Sequence, residues 1–426
     1  MLAPGIDRHL QAFREGAEDL LPEDELARKL ERALAKNQPL RIKQGFDPTA
    51  PDIHLGHTIG LRKLRQLQDL GHTIVVIVGD YTARVGDPSG RSRTRPQLGP
   101  EEIESNARTY LDQFFRIVDP HATELRRNGE WFSRMAFADI LQLAARYTVA
   151  RLLERDDFAK RMKASQPISV HELLYPLMQG WDSVEVKADV ELGGTEQKFN
   201  LLVGRTMQES VGMEPQVILT LPILVGLDGE QRMSKSLGNY VGVSEPPAEQ
   251  FGKIMSIPDE RLEHYWNLVS GAPREEIDRV SANLRAHTLH PMEAKKELAE
   301  RIVALYHGEE AGPRARRSFE QQFSRGGAPT EAYEWRLPVD AADPGLAIKD
   351  LLVKVGLAKS GSEAFRKIDE GAVEVDGEAI RERSARVSLP PGKGRLVRLG
   401  RRWVRVLGDP EAQNPVQSDR PLPLGD

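Results

Sequence analysis

Leu40-Arg41-Ile42-Lys43-Gln44-Gly45-Phe46 is followed by Asp47-Pro48-Thr49-Ala50-Pro51-Asp52, by an amphipathic run from about Leu55 to Leu70, and by Thr73-Ile74-Val75-Val76-Ile77-Val78. The first and last segments have strand composition. The last is apolar throughout, as a strand covered on both faces must be. A strand, a helix and a second strand at this spacing predict a right-handed parallel crossover, and hence an α/β sheet whose ligand crevice lies at the carboxyl ends of its strands.

Outward from this unit, residues 7–36 read as amphipathic helix, with Leu20-Leu21 leading through Pro22 into the Leu26, Leu30, Leu34 spacing, so 1–36 is expected to be a helical arm. Helices are expected at Pro100–Val118, Phe137–Arg146 and Val149–Lys163, forming a helical insertion over about 100–170 beside the sheet. Another begins near Val170, and strand character returns at Ala188–Leu192 and Val217–Val225. The sheet domain is thus placed at 37–240. A charge-rich helical domain follows at 241–325, then a Gly/Pro/Ala linker at 326–345, a small α+β module at 346–408, and a proline-rich tail at 409–426 expected to be disordered.

Composition narrows the chemistry. Among 426 residues, 39% hydrophobic and 29% charged, there is no cysteine, so thiol nucleophiles, zinc-thiolate sites and disulfides are excluded. The longest apolar run is too short to span a membrane and the first residues lack a signal pattern, so a cytoplasmic protein without a membrane partner is expected. The net charge is −5, yet residues 346–408 hold fourteen Lys and Arg against eight Asp and Glu, which suits a polyanion partner for that module.

Several clusters carry chemistry. His54 and His57 stand at i and i+3 at a helix start, where the helix dipole disfavours their protonation and backbone N–H groups offer further donors to an anion; alternatively, they only cap the helix. Arg232-Met233-Ser234-Lys235-Ser236 places cations and hydroxyls on a loop flanked by Gly229 and Gly238, a composition fit to grip phosphates. Gly86-Asp87-Pro88-Ser89-Gly90-Arg91-Ser92 fails as a P-loop because Val85 and Arg91 occupy the positions that need glycine and lysine. Asp87 is either a strand-end carboxylate facing the crevice, with Arg91, Arg93 and Arg95 nearby, or a turn cap. Tyr175, Gln179 and Asp182, at i, i+4 and i+7, form one stripe that is either a polar ligand contact or a solvated face. Gly193-Gly194-Thr195-Glu196-Gln197 reads as a tight strand-to-helix turn.

Together these segments resemble the class I aminoacyl-tRNA synthetases, whose two signatures match His54-Leu55-Gly56-His57 and Arg232-Met233-Ser234-Lys235-Ser236. Within that class, Gly45-Phe46-Asp47-Pro48-Thr49, the Asp87 turn, the Tyr175 stripe and the Gly193 turn follow the order and spacing of the bacterial tyrosyl-tRNA synthetase family. The resemblance covers roughly 36–407. It implies a Rossmann-type catalytic domain, a helical anticodon-side domain and a small RNA-binding module.

By that resemblance, Asp87, Tyr175 and Gln179 hold the α-ammonium of tyrosine, Asp182 accepts from its phenol hydroxyl, and Gln197 and Gly45 complete the amino-acid site. Asp47, Gly193 and Glu196 line the ribose region, with Thr49, His54, His57, Ser234 and Lys235 on the rest of ATP. Arg232 and Lys235, helped by Arg91 and Arg95, close over pyrophosphate. Mg2+ is carried on the ATP phosphates, with no protein metal site and no prosthetic group. The implied partners are tRNA(Tyr) and a second copy of the chain, docked through the insertion. Tryptophanyl-tRNA synthetases carry related signatures, but the basic module and the two-glycine turn favour tyrosine. The chain departs from the family at Lys43-Gln44, where a tyrosine often stands, at Glu196 for aspartate, and at Arg232 for lysine.

Overall fold

A computed structural model of the chain describes residues 2–49, 53–89, 99–324, 331–339, 345–390, 394–400, 402–412, 414–418 and 422–423. They form two compact units, residues 1–245 with 256–295, and residues 246–255 with 296–426.

The first unit is built on a six-stranded sheet. Its elements are α1 (Ile6–Arg14), β1 (Asp19–Leu21), α2 (Glu23–Lys36), β2 (Arg41–Phe46), α3 (Leu55–Asp69), β3 (Thr73–Val78), α4 (Pro100–Phe114) and β4 (Thr123–Arg127). There follow α5 (Gly129–Phe132), α6 (Phe137–Ala144), α7 (Val149–Leu152), α8 (Asp156–Lys163), α9 (Val170–Glu185), β5 (Val190–Gly194), α10 (Lys198–Ser210) and β6 (Val217–Leu221). The strand order is β1-β6-β5-β2-β3-β4, parallel except for β1. The chain leaves β2 toward β3 on one side and reaches β5 later on the other, so the β2/β5 boundary is the switch point where a crevice opens.

The predicted crossover unit is present with its ends shifted by at most a residue. On β3, Val75 and Ile77 face a cluster with Leu177 and Met178 of α9 and Val203 and Met207 of α10. The alternating residues Ile74, Val76 and Val78 are equally buried, which explains the uninterrupted apolar run. α3 buries Leu61, Leu64 and Leu67.

Five expectations need correction, three of them in this unit. The 7–36 stretch is not one helical arm: Asp19–Leu21 pairs antiparallel with β6, making it the sheet edge. A partner two hundred residues away leaves no local periodic signal. The 100–170 insertion is not wholly helical, because Thr123–Arg127 joins β3 as the opposite edge strand. Within it, the expected Val149–Lys163 helix breaks between α7 and α8, where Arg155 turns inward to bond Asp157, Ser89 and Asn200. That satisfied buried guanidinium outweighs the propensity for helix.

In the second unit, Glu331–Pro338 is a strand inside the stretch expected to be linker, pairing parallel with Arg402–Asp409. Val416–Gln417 and Leu422–Pro423 add to the same strand, so the tail carries strand pairing where disorder was expected. Main-chain hydrogen bonds need no apolar side chains, which is why composition missed them. The module core gathers Leu337, Ile348, Leu351, Leu352, Ile368 and Val397 beneath two helices, Ile348–Lys354 and Gly361–Asp369. No helix among the described residues is long and apolar enough to cross a membrane.

Candidate active site

A cavity of about 530 Å³ opens at the switch point. Every predicted site residue in the described part of the chain lines it: Gly45, Asp47, Thr49, His54, His57, Asp87, Tyr175, Gln179, Asp182, Gly193, Glu196, Gln197, Arg232, Ser234 and Lys235. Arg91 and Arg95 lie outside the described residues.

One end is built from backbone and cations. His54 is the N-cap of α3, and its own N–H donates to His57 Nδ1 at 3.2 Å, so His57 carries its proton on Nε2 and presents a donor. The two rings stack with centroids 3.8 Å apart. Gly56 makes this possible, since a Cβ there would come within 3.0 Å of the His54 ring. Burial, the His57 charge and the cations Lys235 and Arg232 lower the His54 pKa to about 2. His57 falls to about 4 through the protein around it and Lys235, although the residue remains open to solvent, which moderates the effect. Both imidazoles are therefore neutral, as expected, but through burial and neighbouring cations ahead of the helix dipole.

The late basic loop is fastened directly to this turn. Leu55 N–H donates to Val241 O, Val243 N–H to Ile53 O, and His54 bridges Gly242. The loop begins as a hairpin in which Val225 pairs with Arg232. Asp228 accepts from the N–H groups of Glu230 and Gln231 and from Asn239 Nδ2, while Asn239 Oδ1 accepts from Ser234 N–H at 2.8 Å. The Lys235 ammonium stands 5.7 Å from the Tyr240 ring centroid. Asn239, which motif reading passed over, is thus the staple that shapes the loop.

The other end is a network of buried and half-buried side chains. Asp47 accepts from Tyr175 OH at 2.8 Å and from Thr82 Oγ1 at 2.7 Å. Gly79 is required for this approach, because a Cβ there would sit 2.2 Å from Asp47 Oδ1. Asp87 does both things its sequence allowed, capping a turn through Ser89 N–H and facing the cavity, where Gln197 Nε2 donates to it at 2.8 Å. Arg155 lies 3.6 Å from the same carboxylate. Asn200 Nδ2 donates to both Gln179 Oε1 and Gln197 Oε1.

Tyr175 and Asp182 are 7% and 4% exposed, which removes the reading of their stripe as a solvated face. Asp182 accepts from Trp131 Nε1 at 3.0 Å and Asn128 Nδ2 at 3.3 Å. Burial still raises its pKa to about 7, against the pull of Lys43. Glu196 stays exposed at the rim; the protein mass around its carboxyl, more than the Asp87 charge, raises its pKa against Arg232. Gln44 also lines the cavity, and its buried Oε1 has no hydrogen-bond partner among the described residues. Asn128, Trp131, Arg155 and Asn200 escaped sequence reading because each acts from an element whose place beside the pocket is tertiary.

The arrangement offers neutral donors and cations to a polyanion at one end, and a desolvated acceptor with ammonium-binding groups at the other. The family of class I tRNA synthetases for tryptophan and tyrosine matches residues 35–324. The chain belongs to that family. It is 49% identical to a protein of Moorella thermoacetica named tyrosine--tRNA ligase, over 93% of this chain and 95% of that one. A tyrosine--tRNA ligase of Thermotoga maritima is 48% identical over 94% of this chain and 98% of its own. Among solved structures, a tyrosyl-tRNA synthetase of Archaeoglobus fulgidus complexed with L-tyrosine superposes with a TM-score of 0.60 at 26% identity, covering 74% of this chain and all of that one.

Proposed function

We propose that this family member is a tyrosine--tRNA ligase, which joins L-tyrosine to ATP as tyrosyl-adenylate and then passes the tyrosyl group to the 3′ end of tRNA(Tyr). The observation that carries this reading is the single cavity shared by a phosphate-handling end and a buried carboxylate with amide and phenol neighbours.

In the first step the tyrosine carboxylate oxygen attacks the α-phosphorus, a carboxylate–phosphorus bond forms, and the bond to pyrophosphate breaks. The nucleophile is already ionised, so the chain has to align it and stabilise charge on the departing phosphates. His57 Nε2–H, Arg232, Lys235 and the N-terminal turn of α3 suit that task. Asp87, Tyr175, Gln179 and Gln197 suit the α-ammonium, and Asp182 suits the phenol hydroxyl. In the second step a terminal ribose hydroxyl of the tRNA attacks the adenylate carbonyl, an ester forms, and AMP leaves with the electron pair. Mg2+ enters with the ATP phosphates.

The basic module at the C-terminal end suits the tRNA backbone, with strong salt dependence. The exposed apolar side chains Phe137, Leu141 and Val149 support the insertion as the contact with a second copy.

The test is ATP–pyrophosphate exchange with tyrosine, tryptophan and phenylalanine in turn. Exchange with tyrosine alone is expected. Preference for tryptophan would overturn the substrate, and RNA binding without any amino-acid-dependent exchange would overturn the enzyme.

A further inference from the structure

Lys43 and Glu191 are register neighbours on the parallel strands β2 and β5, and both are buried completely, at 0% and 1% exposure. The Lys43 ammonium spends its donors on Glu191 Oε1 at 2.9 Å, Gln179 O at 2.8 Å and Ser183 Oγ at 2.8 Å. Glu191 in turn accepts from Gln179 Nε2 at 3.2 Å and from Ser183 Oγ at 3.0 Å. The pair therefore grips α9 at two points, one on each side of Asp182, from beneath the cavity floor that Glu191 helps to form.

A buried ion pair is a poor way to stabilise a sheet, since apolar side chains of similar volume do as well without desolvating two charges. This one stands next to a buried carboxylate whose hydrogen-bond donors, Trp131 and Asn128, are both neutral. From α9, Asp182 faces Lys43 on β2, Glu191 on β5, and Asn128 and Trp131 beyond β4. Asn128 continues through Thr82 to Asp47. Lys43 is the one cation in that set. Its pull on Asp182 outweighs the opposing push of Glu191, and burial is the force it works against.

We propose that Lys43 is a positioning residue for the amino-acid pocket: paired with Glu191 it holds the Gln179–Ser183 turn of α9, and its positive field keeps Asp182 an acceptor for the hydroxyl of the substrate. This rests on the function proposed above.

The experiment is the pH profile of kcat/KM for tyrosine in ATP–pyrophosphate exchange, from pH 5.5 to 9, for the native chain, for Lys43→Met, and for the doubly neutral Lys43→Met/Glu191→Gln. The double variant leaves no unpaired buried charge and carries the test if the single one does not fold. In Lys43→Met the acidic limb is expected to move up by one pH unit or more, and in the double variant, which also loses the opposing push of Glu191, in the same direction by less; activity should recover toward pH 9, with the KM for tyrosine raised near pH 7 and the KM for ATP unchanged within twofold. A uniform loss at every pH, or a folded variant whose limb stays in place, would overturn the inference and leave the function standing. Absence of tyrosine-dependent exchange in the native chain would overturn the function, and this inference with it.

Discussion

The two ends of the cavity bind by opposite means. At the proposed nucleotide end His54 is buried, His57 is exposed and Arg232 and Lys235 are half-exposed, and the end is held by main-chain pairing between the start of α3 and the segment after the basic loop. At the proposed amino-acid end Tyr175 and Asp182 are buried and Asp47, Asp87, Gln179 and Gln197 half-buried, all held by side chains, with Asp182 bonded to Trp131 and Asn128. Phosphates bring enough charge to be gripped in reach of water. One phenol hydroxyl can decide specificity only where water cannot replace the partner it would leave unpaired.

Damage should therefore differ by end. Asp182→Ala is expected to have the largest effect, because it removes a desolvated acceptor: about 3–5 kcal/mol, or roughly 10² to 5 × 10³-fold in kcat/KM for tyrosine. Phenylalanine should lose far less, so the ratio between the two amino acids in exchange assays is the sharper measurement. Equal losses for both would break the contrast.

Lys235→Ala comes next. Losing one preorganised charge on the leaving phosphates should lower kcat by roughly 10²-fold, with the KM for tyrosine unchanged in steady-state exchange. A rise in that KM alone would mean the ends are not separable.

A smaller effect is expected from pH. With Asp182 at about 7, kcat/KM for tyrosine should fall about tenfold between the plateau and pH 6. His57 at about 4 and His54 at about 2 contribute no limb between pH 5 and 8. Stability runs the other way. Folded Asp182 keeps a proton that the unfolded chain, at 3.8, gives up, so its contribution is present at low pH and is lost as pH rises from about 4 toward 7. Thermal melts of Asp182→Asn across that window should lack this loss.

The smallest effect on activation is expected from removing residues 331–426. The cut begins at 331 because Glu331–Pro338 belongs to the module's sheet. Exchange should stay within about twofold while tRNA charging falls at least tenfold at physiological salt, where phosphate contacts matter most. Undiminished charging would show the module to be dispensable.

Much of this is legible in the sequence. Val75 and Ile77 announced a strand covered on both faces, and His54-Leu55-Gly56-His57 announced a helix start. The Tyr175 stripe was legible as a spacing only. Whether it met water or a ligand depended on α5 and α10, which sequence does not place. Arg155 was illegible in a stronger sense, since its local context reads as helix and its partners Ser89 and Asn200 are 66 and 45 residues away.

By itself the order of residues determined the type of the buried central elements, the turn chemistry and which side chains were chemically able to serve, because these follow from local sterics and from periodicities of two and 3.6 residues. Tertiary structure alone decided that β1 and β4 are the sheet edges, that Asn239 staples the basic loop, and that Lys43 points beneath the pocket toward Glu191. The reason is that strand pairing and the burial of charge are settled between distant segments, where the free energy of a contact depends on what else is excluded from water beside it.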